Sequence, residues 1–282
     1  PVAVLAYLPK VAGFVAFMRV LGYVGSTHAG GLAFGDQVPV LLWILAAVSM
    51  TLGNVMALLQ DNLKRMLAYS GVAHAGYMLI GLTTGPALFA QRGMPGSVLG
   101  GAEIVLFYLI AYGAMTVAVF AALAYLQSKE RPIENVDDLA GLSEAHPGVA
   151  LLLALAVVSL IGMPFTAGFV GKLLLFTGAF LAPTGPANPG NWFWVLAIVG
   201  GINAAIAAYY YLRILSTMYF RTAIKPIVAG GGQPQYIALV LCSLVTFAAG
   251  VYPWPLLKAG RQAIVQPEGA ALPTDARADA GR

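Results

Sequence analysis

Charge is what this sequence has least of. Only 9% of its residues are charged and 60% are hydrophobic, whereas a soluble domain carries about 25% charged residues. A soluble globular fold is excluded. The mean hydropathy of +0.82 fits a polytopic membrane protein instead. Cysteine is almost missing too: the single Cys242 excludes a disulfide framework, a cysteine-ligated iron–sulfur cluster and a Cys-rich zinc site within this chain. Redox chemistry must therefore lie in other chains. His28, His74 and His146 fall in different regions and give no support to a metal site. No phosphate-binding glycine loop, HExxH, CxxC or nucleophile–base constellation is present. The 33 glycines sit inside apolar runs rather than in a polar tract, which argues against disorder. The net charge of +4 comes from basic residues scattered singly between apolar stretches, so the stripe or cluster that binds nucleic acid is absent.

What is present is a series of long apolar runs. A crossing helix needs about 20 mainly apolar residues, and on that measure spans are expected at residues 2–25, 38–60, 63–83, 101–127, 148–182, 192–213 and 234–257. The fold class is thus all-α, a polytopic membrane helix bundle of about seven spans. Turn-rich connectors separate them at 26–31, 83–86 and 183–190. Residues 258–282 read as a polar, disordered tail, and Asp137 to Leu142 as a short surface helix. Because the chain begins at Pro1 and enters an apolar run almost at once, it is expected to be the C-terminal part of a longer protein.

The fifth span is too long. As one rod at about 1.5 Å per residue, residues 148–182 would reach about 52 Å against a hydrocarbon core of about 30 Å. Near its middle lies Gly162-Met163-Pro164-Phe165-Thr166-Ala167-Gly168, where proline removes a backbone donor. A discontinuous helix is expected there, a simple proline kink being the plainer reading. Lys64, Arg65, Lys129, Arg131, Arg221 and Lys225 occupy one set of alternate loops, and only Arg92 the opposite set. The first set is therefore cytoplasmic. The basic tail residues Lys258, Arg261, Arg277 and Arg282 fall on the other side, partly offset by Glu268, Asp275 and Asp279.

Ionisable groups inside a membrane are costly and mark functional candidates. Lys172 is the deepest and follows the break by a few residues. Lysine, unlike arginine, can give up its proton when removed from water, so Lys172 reads either as a reversible proton carrier or as a fixed charge bridging to a carbonyl freed by the break. Lys10 follows Pro9 too deep in the first span for easy snorkelling, whereas Arg19 can snorkel. His74 has Ser70 and Tyr77 on its own helical face, which suits a proton relay as well as ordinary packing. Glu103 reads as an interfacial or helix-start carboxylate, and Arg213 as a snorkelling anchor. Asn54, Asn203, Tyr209 and Tyr210 either line the same hydrated path or act as interhelical glue.

Several runs resemble a known family. They are Leu8-Pro9-Lys10-Val11-Ala12-Gly13-Phe14, Gly53 to Leu58, Gln60 to Ser70, Ala73-His74-Ala75-Gly76-Tyr77, Gly162 to Lys172, and Tyr209 to Arg213. Together they are similar to the antiporter-like membrane subunits of proton-pumping NADH-quinone oxidoreductase, respiratory complex I. The run Met163 to Lys172 is most like the subunit N branch of that family. The resemblance implies one half of a fourteen-helix antiporter-like fold. Residues 1–25 would be the last helix of one five-helix unit, 38–220 the second unit with its broken helix near 162–168, and 234–257 a C-terminal helix. It also implies that Lys172, Lys10 and His74 transfer protons. No cofactor is implied in this chain; NADH, FMN, iron–sulfur clusters and quinone belong to partner subunits. The implied partners are the other membrane subunits of complex I, the lipid bilayer and protons, with no nucleic acid, in a multi-pass protein of the bacterial inner membrane. Two other functions fit the residues less closely: a multi-subunit sodium/proton antiporter or membrane-bound hydrogenase, and a structural membrane subunit.

Overall fold

The computed structural model describes residues 2–21, 37–89, 101–127, 133–183, 192–223, 227 and 229–264. The connectors at 26–31 and 184–190, His28, Arg92, Ser128, Lys129, Arg131, Lys225 and residues 265–282 lie outside the described residues. Ten α-helices are described: α1 (Val2–Val20), α2 (Gln37–Leu58), α3 (Leu63–Phe89), α4 (Gly101–Leu126), α5 (Leu142–Ala145), α6 (Pro147–Ile161), α7 (Ala167–Leu181), α8 (Trp192–Phe220), α9 (Gln233–Val251) and α10 (Trp254–Ile264). Among the described residues there is no β-sheet, only an isolated bridge between Asn62 and Asn135. Of these helices, α2, α4, α8 and α9 are long and apolar enough by themselves to cross a membrane. α6 and α7 are the two short apolar halves of the over-long fifth run.

Helix α4 is the axis of the bundle. In its most apolar stretch 72% of residues are buried, against 33% in α2, 39% in α8 and 28% in α9. It packs against α1, α3, α6, α7, α9 and α10, so any polar side chain on α4 is enclosed from several directions. The other helices turn large apolar residues outward, such as Leu52 at 59% exposure and Ile202 at 58%, as a lipid-facing surface requires.

The expected discontinuity is present and its local causes are visible. Gly162 ends α6 with φ +92°, the left-handed geometry that glycine adopts without penalty at a helix end. Pro164 has no N–H to continue the ladder, and Phe165 also takes a positive φ of +66°. Thr166 then starts α7 in extended geometry, its hydroxyl donating to the Met163 carbonyl at 2.6 Å. The Gly168 N–H, one of the donors left over at the new helix start, goes to Ser159 Oγ at 3.1 Å.

Four boundaries differ from the sequence reading. Residues 83–86, expected as a connector, remain in α3, because Thr83 and Thr84 donate to the carbonyls of Leu79 and Ile80 one turn back, at 2.7 and 3.1 Å. Helix α8 continues to Phe220 because Ile214, Thr217 and Met218 still face the core. The surface helix expected at Asp137–Leu142 is a 3-10 turn at Val136–Leu139 followed by the single turn α5. The last span stops at Val251, where Pro253 interrupts it, and residues 254–264 form α10 with Leu257 and Gly260 buried. The beginning of the expected disordered tail is thus helical.

The loop charges give a direct test of topology. Cysteines placed at Ser128 and Thr222 in the full-length protein should react only with membrane-impermeant reagent from the cytoplasmic side, and one at Asn188 only from the opposite side. Labelling of all three from one face would contradict an odd number of crossings between them.

Candidate functional site

Lys172, one turn into α7, is buried at 4% exposure. Its ammonium turns back across the break and donates to the carbonyls of Leu160 and Ile161 at 2.9 and 2.8 Å. These are orphan acceptors at the C-terminal end of α6, where the helix dipole favours a cation. The same nitrogen lies 5.1 Å from the centre of the Tyr77 ring, a cation–π contact. The discontinuity therefore supplies the partners for the charge. Among the described residues the ion pairs are Arg213–Asp61 and Arg221–Asp137; Lys172 is held by dipoles rather than by a carboxylate.

Lys10, on α1, is half-buried. Its Nζ donates to the Tyr112 hydroxyl of α4 at 2.9 Å. It can come so close to α3 because residue 71 is glycine: a β-carbon there would stand 2.2 Å from Nζ.

His74, at 1% exposure, lies between these two sites. Its Nδ1 shares a hydrogen bond with the Tyr108 hydroxyl at 2.7 Å, and Nε2 faces the Tyr211 hydroxyl at 3.4 Å. Tyr211 in turn shares a short hydrogen bond with Ser70. The rings of Tyr77, Tyr108 and Tyr112 surround the imidazole, with centroids at 5.7, 6.0 and 4.9 Å. Both ammonium groups, Lys172 first and then Lys10, act electrostatically on His74.

The expected stripe is therefore only partly realised. Ser70 reaches His74 through Tyr211, and Tyr77 touches it with a ring edge while its hydroxyl accepts from Asn54 at 3.3 Å. Asn54 also donates to Asn203 at 3.1 Å and accepts from Tyr210 at 3.0 Å; Asn203 donates to Thr51 at 3.3 Å. Asn54, Asn203 and Tyr210 thus form one buried polar cluster. Tyr209, expected with them, is 67% exposed and belongs to the outer face of α8. Glu103 stands in the first turn of α4, as a helix-start carboxylate does, and is buried at 2%, since α10 packs against this helix. Arg213 pairs with Asp61 at 2.7 Å; with side-chain exposures of 33% and 79%, such a surface pair adds about 0–1 kcal/mol.

The side chains missed by sequence reasoning are Tyr108, Tyr112 and Tyr211. Tyr108 and Tyr112 stand four residues apart in a mainly apolar helix, a spacing that puts both side chains on one face. That periodicity was the available signal. Among the described residues no group of three His, Cys, Asp or Glu side chains gathers as a metal site.

Comparison with known proteins bears on the family and the fold. Residues 1–200 match the family described as NADH:quinone oxidoreductase/Mrp antiporter, transmembrane. A protein of Trichlorobacter lovleyi called NADH-quinone oxidoreductase subunit N is 38% identical over 257 residues, covering 91% of this chain and 47% of the relative. One of Geobacter metallireducens with the same name is 38% identical over 266 residues, covering 91% and 49%. The chain spans about half the length of the curated relatives it matches. Among solved structures, a chain of respiratory complex I from Thermus thermophilus superposes with TM-score 0.62 at 30% identity, covering 78% of this chain and 45% of that one. A chain of the Mrp complex from a Dietzia species superposes with TM-score 0.71 at 18% identity, covering 93% and 52%, a likeness of fold alone. On the family match and the shared helical architecture, the chain belongs to the NADH:quinone oxidoreductase/Mrp antiporter membrane family.

Proposed function

We propose that this chain is the C-terminal half of a proton-translocating membrane subunit of NADH-quinone oxidoreductase, in which Lys172, His74 and Lys10 carry protons while electrons pass from NADH to quinone in other subunits. The observation that carries this reading is the coordination of Lys172. Its buried nitrogen has two carbonyl acceptors. An ammonium has three N–H bonds and a neutral amine two, so both protonation states keep the same two hydrogen bonds, and the proton in question is the one left over. A carboxylate partner would lock the charge in place; carbonyl dipoles do not.

His74 suits the middle position because either ring nitrogen can take or release a proton. Since the two lysines act electrostatically on His74, a proton held at one site changes the cost of holding one at the next. Such coupling is what orderly passage along a row of sites needs. The cofactors of the reaction and the other membrane subunits belong to the assembled complex, set in a bacterial inner membrane. The subunit N relatives and the complex I superposition at 30% identity favour this over a sodium/proton antiporter. Copurification of the full-length protein with NADH-oxidising subunits tests the assignment, and its recovery with antiporter subunits alone would overturn it.

His74→Ala in the full-length protein should leave the complex assembled, because the ring makes no hydrogen bond to a backbone group among those seen. NADH-linked proton uptake into vesicles should fall by about a hundredfold or more, the usual range for losing a general acid–base group. Normal uptake in an assembled complex would reduce His74 to a packing residue.

A further inference from the structure

Lys258 and Arg261 have no part in the buried site, and they run against the loop charges, which leave few cations at their end of the spans. Helix α10 shows where they sit. Its Leu257 and Gly260 are buried, and a β-carbon at Gly260 would lie 3.4 Å from the Glu103 carbonyl oxygen and 3.7 Å from Leu106 Cβ. Glu103 stands in the first turn of α4, a helix of 26 residues. At about 1.5 Å each these reach about 39 Å, past a hydrocarbon core of about 30 Å, so the first turn lies among the headgroups. The other end of α4 meets the polar loops: the Gly231 N–H donates to the Tyr125 carbonyl at 2.9 Å, and Val136, beyond the helix, donates to the Asp61 carbonyl at 3.2 Å. Helix α10 is therefore docked at headgroup depth, at the end of α4 opposite the loops that carry Lys64, Arg65 and Arg221.

On the outward side of α10, Trp254, Lys258 and Arg261 follow one another at intervals of four and three residues, a spacing that lines them up on one face. All three are exposed, Trp254 at 59%. With Leu257 and Gln262 they line a groove of about 370 Å³. Among the described residues the ion pairs are Arg213–Asp61 and Arg221–Asp137, so neither cation of the groove is neutralised there. Glu103 is buried at 2% and is not part of the groove lining. We propose that this face of α10 binds an anionic phospholipid, with Lys258 and Arg261 holding the headgroup phosphate. Arginine presents paired N–H donors to phosphate oxygens and lysine adds a point charge. Trp254 suits the boundary between headgroup and acyl chain, and Leu257 gives the groove an apolar floor for the top of a chain. A free phosphate ion would use the cations but neither of these apolar groups. An amphipathic helix lying at the interface with basic residues on its polar face is the usual form of such a site. The ligand also accounts for two cations on the side where the loops carry few.

The test uses the full-length protein in its assembled complex, reconstituted in bilayers of equal parts phosphatidylcholine and phosphatidylglycerol, with a benzophenone-bearing amino acid at position 262. Mass spectrometry of the adducts formed on irradiation reads which headgroup occupies the groove. Phosphatidylglycerol adducts are expected to exceed phosphatidylcholine adducts about tenfold, the scale set by one to two basic side chains at a membrane surface. Lys258→Gln combined with Arg261→Gln, both at exposed positions, should return the ratio to that of the bilayer. Lys258→Arg combined with Arg261→Lys keeps both charges and should keep the preference. Equal labelling of the two lipids with Lys258 and Arg261 in place overturns the proposal, as does a preference that survives the Gln pair. Adducts with protein instead of lipid also overturn it; if they fall at Glu268, Asp275 or Asp279, the occupant is the acidic tail of this chain. Exchanging chloride for inorganic phosphate at fixed ionic strength should leave the preference intact, and its loss would assign the site to free phosphate rather than lipid.

Discussion

Lys172→Met in the full-length protein should abolish proton pumping and sharply reduce quinone-linked turnover, with the assembled complex still recoverable. Methionine preserves the unbranched stem and its volume, so packing against α6 changes little. What disappears is the nitrogen and with it both hydrogen bonds to Leu160 and Ile161. Each carbonyl left without a partner costs about 1–3 kcal/mol when buried, a penalty that water entering the break reduces. The functional loss should therefore exceed the structural one. Lys172→Arg separates charge from titration. A guanidinium supplies enough donors for both carbonyls and remains protonated under all working conditions. Low pumping in an assembled Arg variant is expected; normal pumping would mean that a fixed positive charge suffices and that Lys172 carries no proton.

How much of this was legible beforehand differs from one element to the next, and the reason is physical. The spans and the break follow from hydropathy and from Gly162 and Pro164, local properties that packing does not overrule. Lys172, Lys10 and His74 stood out because ionisable groups in an apolar run are costly wherever the fold places them. The side chains between them did not, since tyrosine hardly lowers the apolarity of a helix such as α4, and Tyr108 and Tyr112 read as ordinary bulk. Three consecutive tyrosines at 209–211 point in directions about 100° apart around a helix, so sequence alone does not decide which faces inward. The register of α8 selects Tyr210 and Tyr211 and leaves Tyr209 on the surface. The helical start of the tail was hidden for a related reason: α10 is too polar to read as a span, and its Gly260 lies against the first turns of α4, near Glu103 and Leu106.

The second large effect should come from a substitution that removes no ionisable group. Gly171 lets α7 approach α4 so closely that the Tyr108 ring occupies the space of a side chain, with Cδ2 2.1 Å from where a β-carbon would stand. Gly171→Ala must either push α4 and α7 apart or rotate Tyr108 away from His74. The ring is rigid and enclosed, so the first course carries the usual overpacking cost of about 1–3 kcal/mol and the second breaks the 2.7 Å bond to Nδ1. Both courses also disturb the residue beside Lys172. Proton uptake in reconstituted vesicles is expected to fall about tenfold or more, together with lower thermal stability of the complex. Gly201→Ala is the control, because a β-carbon at Gly201 meets nothing within 4 Å, and it should leave uptake and stability unchanged. Full activity of Gly171→Ala would show that Tyr108 shifts without consequence, and the tight fit between α4 and α7 would then be packing alone.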